Sequence, residues 1–199
     1  MNKKFFNYIT IFICGMLNFF ISQKLIRMPI LTYLYSTFFF SVLLVEMPTL
    51  LNFVIAFSAG IFEETFRFLF KKFLIRNSKD IIEPIVFGLG HGIAEAVIII
   101  NSVLLYVNIS QFSMLGIYER FLAIIFHICE SVIIWNGFLY NKKYRYLLVA
   151  IVIHGLFDFL IYIGNVFNFE LGTLYFIWSA IDIILVGYVL KNRKYWRSL

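Results

Sequence analysis

Apolar runs long enough to cross a bilayer follow one another through this chain with almost no polar sequence between them. About 20 apolar residues span the hydrocarbon core as a helix. The 199 residues offer about seven such runs, at roughly 5–22, 29–46, 49–70, 84–107, 118–140, 146–163 and 173–190. Hydrophobic residues make up 62% of the chain and charged ones 14%, against roughly 45–50% and 25% in soluble domains. A chain of this length cannot bury so much apolar surface in water, so lipid must cover the remainder. The expectation is one all-α integral membrane domain, residues 1–199, built as a polytopic transmembrane helical bundle in contact with membrane lipid.

Phe5–Phe20 follows a basic start, as a signal peptide would, but no small-residue cleavage pattern comes after it. It reads as a true span. Cys14 and Cys129 sit inside apolar runs without metal-type spacing, and read as small buried hydrophobes.

The net charge of +6 does not point to a nucleic acid, because the basic residues gather at the ends of the apolar runs. With seven spans, the connections after odd-numbered spans and the tail hold 13 of the 17 basic residues, Lys24 and Arg27 among them. Only Lys3 and Lys4 fall on the other side. The positive-inside tendency then expects a cytoplasmic C-terminus and an outside N-terminus; the expected location is the plasma membrane of a bacterium.

Ionisable residues in mid-span cost roughly 2.5–3.5 kcal/mol each on insertion scales, so they are candidate functional residues by default. Span three carries Glu63, Glu64 and Arg67; span four carries His91 and Glu95; span five carries His127 and Glu130; span six carries His154 and Asp158. At 1.5 Å per residue, Glu63, His91 and His154 each lie roughly 10–12 Å from the cytoplasmic ends of their spans. Three helices of alternating direction therefore bring an acid and two imidazoles to one level, with His127 and Glu130 slightly deeper. Glu63 and Arg67, His91 and Glu95, and His154 and Asp158 are each four apart, so each pair shares a helix face. A carboxylate one turn from a histidine can orient the ring and fix its tautomer. Glu63 and Glu64 point about 100° apart, so one faces the site and the other meets Arg67 or acts from behind. Gly88, Gly90 and Gly92 around His91 have no preceding strand and no following Lys, which argues against a phosphate loop and for close helix packing or a water path.

These residues together resemble the intramembrane CAAX-protease and Abi superfamily, and within it most closely the YhfC-type membrane peptidases. The resemblance rests on Glu63-Glu64 with Arg67, on Phe87 followed four residues later by His91, and on His154 followed by Asp158, in that order on three spans. The string Gly88–Glu95, and Glu119-Arg120 ahead of His127, look like the YhfC-type version. The match runs from about Glu63 to Asp158. One departure concerns the arginine: Glu64 and Arg67 are three apart where the superfamily has four, which blurs the roles of the two glutamates and favours the YhfC-type branch.

The resemblance implies peptide-bond hydrolysis within the membrane, on a membrane-associated peptide or protein. By that analogy Glu63 or Glu64 acts with His91 to activate a water, while His154 and Asp158 stabilise the oxyanion; Arg67, Glu95, His127 and Glu130 support them. A divalent metal such as zinc, if one takes part, would have Glu63, His91 and His154 as ligands. No His-Glu-x-x-His string demands one, so glutamate-type and metal-type mechanisms both stand.

Simpler readings compete. Arg67 and Glu95 suit a structural ion pair; Glu46, Glu119, Arg120 and Glu170 lie near the outer interface and need no role; Asp182 suits a polar contact with a neighbouring helix. Asn108-Ile-Ser110 fits a glycosylation pattern but sits in a very short loop. A proton- or ion-coupled transporter uses similar residues, against which stand the small size and the lack of an inverted repeat. A non-catalytic membrane partner or immunity protein would not need Glu63, His91 and His154 intact.

Overall fold

The computed structural model describes residues 3–76, 80–105 and 114–196, and every element in them is a helix. Five helices among the described residues are long and apolar enough to cross a membrane, or six if one bent pair counts as a single span. The all-α polytopic bundle is therefore as expected. The second span, at 29–46, is not.

The first helix does not stop at Gln23–Met28. α1 (Lys3–Phe19) continues through a π-helical stretch, Phe20–Arg27, into α2 (Met28–Tyr35), and Asn7–Tyr35 forms one candidate span. Pro29 looks like a helix breaker because it lacks an N–H and clashes with the carbonyl one turn back. Here the wider π turn precedes it, with the Met28 N–H bonded to the Gln23 carbonyl, and absorbs the disturbance.

The break comes later. Thr37 is extended and its side chain accepts from the Phe40 N–H at 3.3 Å, capping the short α3 (Phe38–Glu46). Met47, held out of the helical region by Pro48, separates α3 from α4 (Pro48–Leu69), which runs on through a π turn at Phe70–Leu74. The two axes differ by 116°, so α3 lies across the end of α4. Phe38, Phe39 and Val45 are largely exposed on it, as suits an apolar helix lying in lipid.

α5 (Ile82–Leu104), α6 (Met114–Leu139), α7 (Lys143–Val166) and α8 (Leu171–Trp196) complete the bundle. Asn141 and Asn168 close α6 and α7 with φ of 56° and 52°, a left-handed conformation that asparagine tolerates better than most residues. The Asn108-Ile-Ser110 pattern lies outside the described residues.

With 29–46 no longer a span, the faces of the bundle rearrange. Tyr8 Oη donates to Asp80 at 3.0 Å and Asn7 Nδ2 to Glu83 at 3.4 Å, so α1 begins beside the start of α5. α6 ends and α8 ends together, where Tyr140 Oη donates to Asn192 at 3.2 Å. The basic stretches at 71–76, 142–145 and 191–194 stand at these same helix ends. The start of α1, expected on the opposite face from them, shares theirs.

Small residues decide how closely the helices approach. A Cβ on Gly90 would stand 2.1 Å from the Phe12 carbonyl oxygen, and one on Gly15 2.0 Å from that of Phe87, so α1 and α5 cross backbone to backbone. Gly88 and Gly92 do the same toward α6, at His127 and Ile124. His91 is thereby clamped between α1 and α6. Between the histidines and the basic face lies an apolar core that includes Phe68, Phe70, Phe87, Ile134 and Trp135.

Candidate active site

Glu63 from α4 is the meeting point. Its Oε2 accepts from His91 Nε2 at 2.8 Å, and its Oε1 accepts from the amide of Gln23. Asn18 Nδ2 donates to His91 Nδ1 at 2.9 Å, so the proton of that ring sits on Nε2, facing Glu63. Gln23 is in turn held by Arg27, whose Nη1 reaches Gln23 Oε1 at 2.8 Å. Arg27 is pinned to α4 by Ser58 Oγ at 2.8 Å and the Ile55 carbonyl at 2.9 Å. The π-helical stretch thus turns Gln23 and Arg27 onto α4, a common use of such distortions.

Glu64 points the other way. It accepts from Arg67 Nη1 at 2.6 and 2.7 Å and from His154 Nδ1 at 2.8 Å. All three groups are almost wholly buried. With Nδ1 held by Glu64, His154 presents its Nε2 to the other two carboxylates. That atom lies 3.7 Å from Glu63 Oε2 and 3.8 Å from Asp158 Oδ2. Asp158, with 36% of its side chain exposed, is the wetter of the two carboxylates.

His127 completes the group. Arg67 Nη2 donates to its Nδ1 at 3.2 Å, and its Nε2 donates to Glu95 Oε2 at 2.5 Å. Glu95 also accepts from Arg120 at 3.1 Å. The His127 ring lies 4.3 Å from that of His91 and 5.4 Å from that of His154, centroid to centroid. All three histidines do converge.

The helical spacings brought the faces together, but not every partner lies on the same helix. Glu95 meets His127 on α6 rather than His91 one turn away, while Arg67 takes Glu64 and leaves Glu63 to the site, one of the two arrangements the sequence allowed. Arg120, read as an interfacial bystander, is tied to Glu95. Glu130 is buried yet neither carboxylate oxygen has a hydrogen-bond partner among the described residues. Asp182, expected to make a polar contact, is likewise buried without one. Asn18 and Gln23 were missed altogether; their only signal was one amide inside the first apolar run and another just past its end.

A cavity of about 500 Å³ reaches this cluster. Glu63, Glu95, His127, His154 and Asp158 line it, whereas His91 and Glu64 stand behind the wall. Two donor sets bring one atom from each residue within 4.8 Å of one another: Glu63 with His127 and His154, and His91 with Glu95 and His127. Neither is the expected Glu63, His91 and His154. Two imidazoles and one carboxylate suit a divalent ion such as zinc and leave a position open for water. Only the first set faces the cavity throughout.

Buried acids and imidazoles thus meet at the end of a cavity inside a polytopic helical membrane bundle. The model of the YhfC intramembrane metalloprotease family matches the chain over residues 1–114 and 104–185. The chain belongs to that family of membrane peptidases. No curated protein and no solved structure matches it.

Proposed function

We propose that this integral membrane protein hydrolyses a peptide bond of a membrane-associated peptide or protein, with the reacting water held beside His154 Nε2 between Glu63 and Asp158. The observation that carries this reading is that His154 stands on the wall of the cavity with Nε2 near both Glu63 and Asp158 and its other ring nitrogen locked by Glu64. A water in the gap can hydrogen-bond to both flanking carboxylates. Asp158, the more exposed, accepts its proton as attack on the carbonyl begins and returns it to the departing amine. Glu63 keeps its orientation through His91, Asn18, Gln23 and Arg27.

Glu63, His127 and His154 are the residues that would hold a divalent metal. Bound there, it would lower the pKa of water and polarise the scissile carbonyl. His154 has Glu64 as the carboxylate behind it. His127 would bind through one ring nitrogen, giving up its present contact there with Arg67 or Glu95.

The same reading carries an orientation. The basic stretches and the start of α1 share one face, so the positive-inside tendency favours both termini in the cytoplasm. Lys3 and Lys4, anomalous with seven spans, then agree with the rest. A bacterial plasma membrane fits this pattern.

The test is cleavage of a panel of membrane-anchored peptides by the purified protein, before and after chelation, alongside bound-metal analysis. Glu63→Gln and His154→Gln should lose both metal and cleavage, while Asp158→Asn should keep metal and lose cleavage. Full activity of Asp158→Asn would overturn its role as proton acceptor.

A further inference from the structure

The cavity extends from the site in one direction only. On α4 it is lined from Glu63 back to Asn52, on α5 from Glu95 forward to Ser102, on α6 from His127 back to Glu119, and on α7 from His154 forward to Asn165. Among the described residues, no helix contributes a lining residue from the other side of the site, toward the basic stretches. That side is filled by the aromatic core around Phe87 and Trp135. Ser102 and Asn165 are exposed at the far end.

We infer that the substrate is a polypeptide segment that enters this shaft in extended form from the face opposite the basic stretches, the non-cytoplasmic one. The inference rests on the peptidase reading and on the orientation given above. It replaces the access from the cytoplasmic side that the depth of the residues alone suggests. From Asn52 to Glu63 the axis of α4 rises roughly 16 Å, the reach of about five extended residues at some 3.3 Å each. Ala56, Ala59 and Ala123 line the passage near the site, and their small side chains leave room for those of the substrate. The substrate class is therefore an exported peptide, or a membrane protein with at least that length of unwound chain at the outer end of its span.

Cysteine accessibility tests this without relying on catalysis. The native Cys14 and Cys129 are buried, which keeps the background low. Asn165→Cys at the mouth, Ala59→Cys one turn from Glu63 and Lys142→Cys at the α6–α7 turn would each be treated with a membrane-impermeant maleimide, in intact cells and in inside-out vesicles. The expected result is labelling of Asn165→Cys and Ala59→Cys in cells only, and of Lys142→Cys in vesicles only. Labelling of Ala59→Cys in vesicles only, or its absence where Asn165→Cys reacts, would overturn the one-ended shaft. Labelling of Lys142→Cys in cells would overturn the orientation. Because the readout is chemical access, a failed proteolysis assay and a failed access assay remain distinct results.

Discussion

Glu64 does not line the cavity, yet two of the site's histidines depend on it. It holds His154 by Nδ1 and it holds Arg67, which holds His127. Partners behind a metal-binding histidine are commonly worth about 10–100-fold in metal affinity. Glu64→Gln, which keeps the shape but removes the charge, should weaken zinc binding by about that factor, as read by calorimetry. Arg67→Leu acts on stability instead. It leaves a fully buried carboxylate without its guanidinium, a loss of about 3–5 kcal/mol for buried pairs, visible as a lower unfolding midpoint in detergent. The sequence revealed these residues because charge in an apolar span is costly and rare. It did not reveal Asn18 and Gln23, since a neutral amide in a span costs less than a charge and is ordinary at helix–helix contacts. Nor does spacing along one helix say which neighbouring helix supplies the partner, which is why Glu95 belongs to His127.

At the level of elements, the glycines of α5 and α1 set the geometry that the site requires. Gly90→Ala would drive a methyl group into the Phe12 backbone. Such overpacking typically costs about 1–3 kcal/mol, and here it also moves Asn18 away from His91. Gly90→Ala should therefore lower both the unfolding midpoint and the cleavage rate, whereas Gly187→Ala, with nothing within 4 Å of its added Cβ, should change neither. The close packing was legible in the Gly88, Gly90 and Gly92 pattern. The course of the chain from 23 to 48 was not. Its apolar residues continue through both the π turn and the break, so hydropathy could not tell one bent passage from a second span. Thr37 and Pro48 were the only local markers of the break, and Pro29 pointed to a break that the π turn removes.

That single misplaced span matters most at the scale of the whole molecule. Seven spans put the termini on opposite faces; the observed helix order puts the start of α1 with the end of α8. Reporter domains fused to the N- and C-termini should both report a cytoplasmic location, and opposite reports would restore the seven-span arrangement. The level at which the acids and imidazoles meet was legible, because rise per residue and helix direction suffice to place it. The cavity was not legible, since its direction depends on where six helices diverge and on which of their ends the aromatic core fills.

Hydrolysis itself is the central claim, and labelled water tests it most directly. The purified protein in liposomes would be given membrane-anchored peptides in heavy-oxygen water, and the products weighed by mass spectrometry. Wild type should yield fragments whose new carboxyl end carries solvent oxygen, and Asp158→Asn and His154→Gln should yield none. A folded wild type that leaves the whole panel uncut, while proton or ion flux through the same liposomes depends on Glu63 and His154, would contradict the account and make the cluster a transport pathway.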